Sequence, residues 1–244
     1  MHNMVGVKIL FFKNDIVKKI IIIFLMIAIL STSPAYAHKL ISHDDSHRDI
    51  DNALKIPDHK ISWAIYENLG TNEAKFYSFE GKQGDSFYAS IVIPKMEGLE
   101  TYSPTMVLLS PDNIQNDDGF SGSQNNIEKV LYEGNFPSNE FYEPFGQVTY
   151  WERQEINKIL PIDGEYFIIV LDEKNQKGKY SLAIGTIEDF SGENMFLILP
   201  QSWGDTKIFV NDYMSIIILF FVIIILILII SFGVKRKIKN KSST

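Results

Sequence analysis

Between residues 61 and 185 the apolar residues recur in short runs, often at every second position, with Gly, Asp, Asn and Pro in the gaps. A period of two places alternate side chains on opposite faces of a strand, so the pattern predicts many short, half-buried strands. Strands are expected near 61–67, 74–80, 86–94, 105–110, 127–132, 148–160, 165–172 and 179–185, with turns at 81–85, 163–164 and 175–178. In the third of these, Phe87, Ala89, Ile91 and Ile93 share one face while Tyr88, Ser90 and Val92 share the other, so one face can line a core. No helical stretch lies between the strands to serve as a parallel crossover, which favours two antiparallel sheets packed face to face. The expected fold is all-β: an antiparallel β-sandwich, jelly-roll-like, over 61–185, with an insertion at 113–145.

Two longer apolar runs flank this region and mean different things. Residues 1–37 place Lys8, Lys13, Lys18 and Lys19 before the apolar run 20–30 and end in Ala35-Tyr36-Ala37, the order of a secretory signal peptide cleaved after Ala37. A retained anchor is the competing reading, yet that run would span only about half of a roughly 30 Å hydrocarbon core. Residues 214–234 form an uncharged apolar run long enough for a transmembrane helix, and the basic tail 235–244 follows directly. Basic residues beside a span stay in the cytoplasm, so a single-pass cell-membrane protein with residues 38–213 outside is expected. The connector 186–213 carries Trp203, Phe209 and Tyr213, which sit either at the headgroup level or packed beneath the sandwich.

Charge sharpens the division. The chain's formal net charge is −7, but residues 38–213 hold 14 basic and 29 acidic side chains, net −15. A surface this acidic repels phosphate backbones, so no nucleic-acid partner is expected. The chain has no cysteine, which excludes disulfides, thiol nucleophiles and thiolate metal sites. No His follows His59, so the strand region cannot supply a Ser-His-Asp or Cys-His pair, and the common nucleotide-binding and zincin motifs are missing. Carboxylate pairs such as Glu152 and Glu155, Asp117 and Asp118, or Asp172 and Glu173 are too numerous to single out as acid and base. The chain is therefore not expected to be an enzyme.

Residues 75–87 (KFYSFEGKQGDSF) with 104–112 (PTMVLLSPD), and then 160–170 (LPIDGEYFIIV) with 178–185 (GKYSLAIG), resemble the opening and closing halves of a bacterial pre-peptidase C-terminal domain. The resemblance implies a jelly-roll sandwich of the kind carried by secreted proteins, some of which bind calcium or matrix polymers. The insertion at 113–145 departs from that pattern. The whole layout, with its Lys, Asn and Ile bias, is also similar to membrane-anchored surface proteins of ammonia-oxidising archaea, which implies a location and no particular activity.

The candidate chemistry lies before the strands. His38, His43, His47 and His59 are the only histidines after the signal segment, all within residues 38–60 and interspersed with Asp44, Asp45, Asp49, Asp51 and Asp58. Cleavage after Ala37 would make His38 the N-terminus, able to chelate a metal through its amine and ring while His43, His47 or His59 adds a second imidazole. Such a nitrogen set suits copper, with zinc or nickel as alternatives. It resembles, at His38 alone, the histidine brace of copper oxygenases and periplasmic copper carriers. The plainer reading is a solvated polar arm. Asp112, Asn113, Asp117 and Asp118 could offer oxygens to calcium, although their spacing fits a polar turn better. Phe136, Phe141, Tyr142, Phe145, Tyr150 and Trp151 form either a platform for a protein or polysaccharide partner or part of the core. The expected function is a membrane-anchored extracytoplasmic binding or structural module, with a copper-binding carrier or oxidase accessory as the alternative.

Overall fold

The structure is a computed structural model that describes residues 38–113, 127–189 and 195–241. The expected signal segment, and Asp117 and Asp118 of the calcium reading, lie outside the described residues.

Among the described residues eleven strands form two sheets. They are β1 (Lys39–Leu40), β2 (Leu54–Lys55), β3 (Trp63–Leu69), β4 (Ala74–Gly81), β5 (Ser86–Pro94), β6 (Thr105–Leu109), β7 (Ile127–Val130), β8 (Glu140–Glu143), β9 (Val148–Ile159), β10 (Gly164–Leu171) and β11 (Gly178–Ile184). One sheet has the order β1-β3-β11-β5-β9-β8 and the other β2-β4-β10-β6-β7. Every longer pairing is antiparallel, as the short turns require. Each of the eight expected strands is present to within about two residues at its ends.

The sheets face one another across a single core. Ile65 and Leu69 of β3, Phe87, Ala89, Ile91 and Ile93 of β5, and Leu182 and Ile184 of β11 meet Tyr77 and Phe79 of β4, Met106 and Leu108 of β6, and Tyr166, Ile168 and Val170 of β10. The fold is thus a β-sandwich, with the four inward residues of β5 those that the alternation marks.

Residues 38–60 differ from a solvated arm. β1 adds in parallel to the free edge of β3 and β2 to the free edge of β4, so one segment caps both sheets at the same side of the sandwich. The physical reason is that a free edge offers unpaired N–H and C=O groups, and this segment carries the apolar residues to exploit it. Ile41, Leu54 and Ile56 pack on the main core, while Ile50 and Ala53 join Phe76, Val107, Leu109, Phe167 and Ile169 on the outer face of the second sheet.

The connector 186–213 has regular structure that the sequence reading does not specify. It contains a helix, α1 (Met195–Phe209), despite Pro200 and Gly204 within it. Tertiary packing outweighs their poor propensity: Phe209 stacks on Tyr66 with ring centroids 4.4 Å apart and joins Val148 and Tyr150 against the outer face of the first sheet. Lys179 Nζ donates to the Phe209 carbonyl at 2.6 Å, satisfying an acceptor at the helix end. A second helix, α2 (Tyr213–Lys241), begins where Ser215 N–H donates to Asp212 Oδ1 at 3.2 Å. Its span Tyr213–Gly233 has a mean hydropathy of 3.5, and none of its residues is buried inside the fold. It is one apolar helix of membrane-crossing length.

Candidate metal centre

The alternation in β3 turns Ile65, Glu67 and Leu69 toward the core, and that in β4 turns Lys75, Tyr77 and Phe79 the same way. A glutamate and a lysine thus face inward on two strands that belong to different sheets and are joined by the turn at 70–73. Both are fully buried, which a charged side chain tolerates only with partners.

The N-terminal segment brings those partners. Running along β3 and over the 70–73 turn, it is tied down where Phe76 N–H donates to the His47 carbonyl at 3.0 Å. His47 enters between the sheets, with Nε2 2.6 Å from Glu67 Oε1. His43 Nε2 lies 3.2 Å from the same oxygen and 3.2 Å from the Tyr66 carbonyl. Asp45 N–H donates to His43 Nδ1 at 3.3 Å, so the neutral His43 ring carries its proton on Nε2. The two imidazoles meet edge to face, centroids 4.7 Å apart.

A second layer supports the carboxylate. Tyr77 Oη donates to Glu67 Oε1 at 3.1 Å and lies 2.7 Å from Tyr180 Oη, whose residue is the cross-strand partner of Glu67. Burial first, and then the negative charge nearby, raise both phenols well above their ordinary range, so they remain neutral donors. Lys75 Nζ approaches Glu67 Oε2 at 4.0 Å and pairs with Asp45 at the surface, while burial lowers its pKa. Within this cluster His47 Nδ1 is buried without a hydrogen-bond partner, as is His59 Nε2 elsewhere in the fold.

The four sequence-predicted ligands therefore separate. His43 and His47 meet, with Glu67 as the third potential ligand, and the three ligand atoms lie within 4.8 Å of one another. His38 sits beside Ser62, its Nδ1 2.5 Å from Ser62 Oγ. Because the segment runs parallel to β3, the four residues from Ser62 to Tyr66 set His38 about 13 Å from His43 along the strand. His59 lies where β4 turns into β5: its Nδ1–H donates to the Glu80 carbonyl at 3.1 Å and its ring packs on Phe79. Burial lowers the pKa of both His38 and His59, with Asp85 opposing the shift at His59. Glu67, Lys75, Tyr77 and Tyr180 were not singled out from sequence. The signal for two of them was available, since Glu67 and Lys75 each interrupt the inward face of an alternating strand.

The remaining candidates have separate structural roles. Asp172 accepts backbone N–H groups of Asn72, Lys174 and Gln176, which organises two adjacent loops, and Glu173 pairs with Lys129. Tyr150 and Trp151 are core residues, whereas Phe136, Phe141 and Tyr142 are exposed. Phe141, Phe145 and Tyr150 line a cleft of about 460 Å³ between the first sheet and α1, where Glu143, Glu152 and Glu155 supply negative charge.

No protein-family model matches the chain, and no curated protein matches it. Among solved structures it is similar to the pre-peptidase C-terminal domain of a Bacillus anthracis collagenase, at 17% identity, 53% of this chain, 91% of that one and a TM-score of 0.31. It is similar to Aeromonas hydrophila PliG, a periplasmic inhibitor of g-type lysozyme, at 12% identity, 61% and 98% coverage and a TM-score of 0.32. A third is CorA, a surface-associated copper-binding protein of Methylomicrobium album BG8, at 8% identity, 63% and 99% coverage and a TM-score of 0.28. Superpositions this loose give no residue correspondence, so none of those proteins' ligands carries over to the cluster.

Proposed function

We propose that the chain is a single-pass membrane protein whose β-sandwich stands outside the cell and acts by binding rather than catalysis. The observation that carries this reading is the bare apolar span Tyr213–Gly233, joined to a packed sandwich through a capped helix. The basic residues after that span put the tail in the cytoplasm, and a signal peptide cleaved after Ala37 delivers the other end. The burial of the cluster supports a non-catalytic role, because His43 at 12% exposure is the most open of its three potential ligands. A protein or polysaccharide partner is recognised on the exposed aromatics of β8 and the acidic cleft beside them.

The test is membrane-impermeant labelling of intact cells that express the full chain, with N-terminal sequencing of the isolated protein. Labelling of lysines in 38–213 together with a first residue of His38 is the expected result. Labelling only after permeabilisation would overturn the topology.

A second reading, metal handling as a copper carrier or an accessory to a membrane oxidase, is favoured by one observation. Two imidazoles and a carboxylate converge at the sandwich edge.

A further inference from the structure

Three features make the His43–His47–Glu67 cluster more than a buried hydrogen-bond network. The first is convergence: both Nε2 atoms address the same oxygen, Glu67 Oε1, from a segment and a strand far apart in sequence. The second is spacing. A tetrahedral zinc-class ion with bonds of about 2.0–2.1 Å holds its ligand atoms about 3.3 Å apart. The His43–Glu67 separation of 3.2 Å already meets this, and the His47–Glu67 separation of 2.6 Å needs to open by only about 0.7 Å. The third is the unpartnered His47 Nδ1. For Nε2 to bind an ion its proton must leave: at His47 a free lone pair on Nδ1 can receive it with no hydrogen bond lost on that side, and at His43 the proton moves to Nδ1, which gives up the 3.3 Å bond from Asp45 N–H.

We propose that His43, His47 and Glu67 hold one divalent late-transition ion of the zinc or copper class, which staples the N-terminal segment across the edge of the sandwich. The inference deepens the metal-handling reading and rests on it, and it is independent of the membrane topology. Two imidazole nitrogens and one carboxylate oxygen match this class, whereas calcium and magnesium take oxygen ligands throughout. Tyr77 Oη donates to Oε1 and holds the carboxylate in place, Lys75 stands 4.0 Å from Oε2, and the ion would take the lone pair of Oε1 that now faces the two imidazoles. The Tyr66 carbonyl, 3.2 Å from His43 Nε2, borders the remaining position. His38 and His59 take no part, since one is held at Ser62 and the other at Glu80. Because His43 and His47 belong to the segment and Glu67 to β3, the ion adds a crosslink between them beyond the two-residue pairing of β1 with β3.

The test is titration of the purified full chain in detergent micelles with zinc and, separately, copper(II), against a competing chelator, with thermal unfolding as the second readout. One equivalent is expected to bind and to raise the melting temperature. His43→Ala and His47→Ala are each expected to weaken binding by roughly 100-fold, the upper end of what loss of a supporting residue costs. His38→Ala and His59→Ala leave it within about threefold. His43→Ala, altering the most exposed ligand, keeps the fold testable if His47→Ala does not. Undiminished binding in folded His43→Ala, binding lost on removing His38, or no tight binding by the folded chain would overturn the proposal. Those results leave the surface topology standing, and inaccessible lysines in intact cells would leave the metal site standing.

Discussion

His47 Nε2 lies 2.6 Å from Glu67 Oε1, joining a residue of the N-terminal segment to one on β3, at the edge of the sandwich's first sheet. The contact makes residues 38–60 part of the domain, and the carboxylate it satisfies is buried on the core face of β3. An ionised group there needs every donor it has.

Tyr77→Phe removes one of those donors and leaves the Tyr180 hydroxyl without its partner in a fully buried position. The expected cost is about 1–2 kcal/mol of stability, measured by chemical unfolding of the detergent-solubilised protein. Binding of an added metal ion by this variant should weaken rather than vanish, since all three ligands remain.

Gly185 follows β11 with φ +73°, and a Cβ there would lie 2.2 Å from the Ile61 carbonyl oxygen and 2.7 Å from that of His59. Both obstacles are backbone, in the passage from the segment into β3, so neither can swing away. Gly185→Ala is expected to destabilise by at least about 2 kcal/mol and to give the segment faster hydrogen exchange than any other part of the sheet edge.

Much of this architecture was legible in the sequence. The inward set Phe87, Ala89, Ile91 and Ile93 follows directly from alternation, and so do the strands on either side, because a two-residue period leaves few other ways to bury apolar faces. The segment 38–60 was less legible: its histidines and aspartates read as solvated, and only pairing with two distant sheet edges reveals Ile41, Leu54 and Ile56 as core. The site was legible by half. His43 and His47 belong to a visible cluster, but Glu67 joins them through a strand register that composition does not specify, and His38 is carried away along β3 by the same register. α1 was missed because Pro200 and Gly204 argue against a helix, while its stabilisation comes from Tyr66, some 140 residues earlier.

That packing makes a further prediction. Phe209→Ala removes a buried ring stacked on Tyr66, and a loss of about 3 kcal/mol is expected. Because Phe209 also anchors the end of α1, limited proteolysis should then cut within α1 before the sandwich. Equal protease resistance of the two proteins would show that α1 docks by other contacts.

Stability should fall on mild acidification. Burial holds the His59 imidazole below the ordinary histidine range, with Asp85 and Asp58 partly offsetting it, so the unfolded chain binds a proton more readily than the folded one. The corresponding stability is present above about pH 6.5 and is lost as the pH falls from there through the lowered folded-state value. His38, lowered by the same cause, adds in the same direction. Melting temperatures recorded from neutral to mildly acidic pH should decline in the parent protein and decline less in His59→Gln, whose amide can still donate to the Glu80 carbonyl.

The most direct measurement is X-ray absorption at the zinc edge on the full chain loaded with one equivalent. The expected first shell has two imidazole nitrogens and carboxylate oxygen at about 2.0–2.1 Å, with the imidazole signature falling to one ring in His43→Ala. A shell of oxygens alone, or one still showing two imidazoles after His43→Ala, would contradict the assignment of the ion to His43, His47 and Glu67.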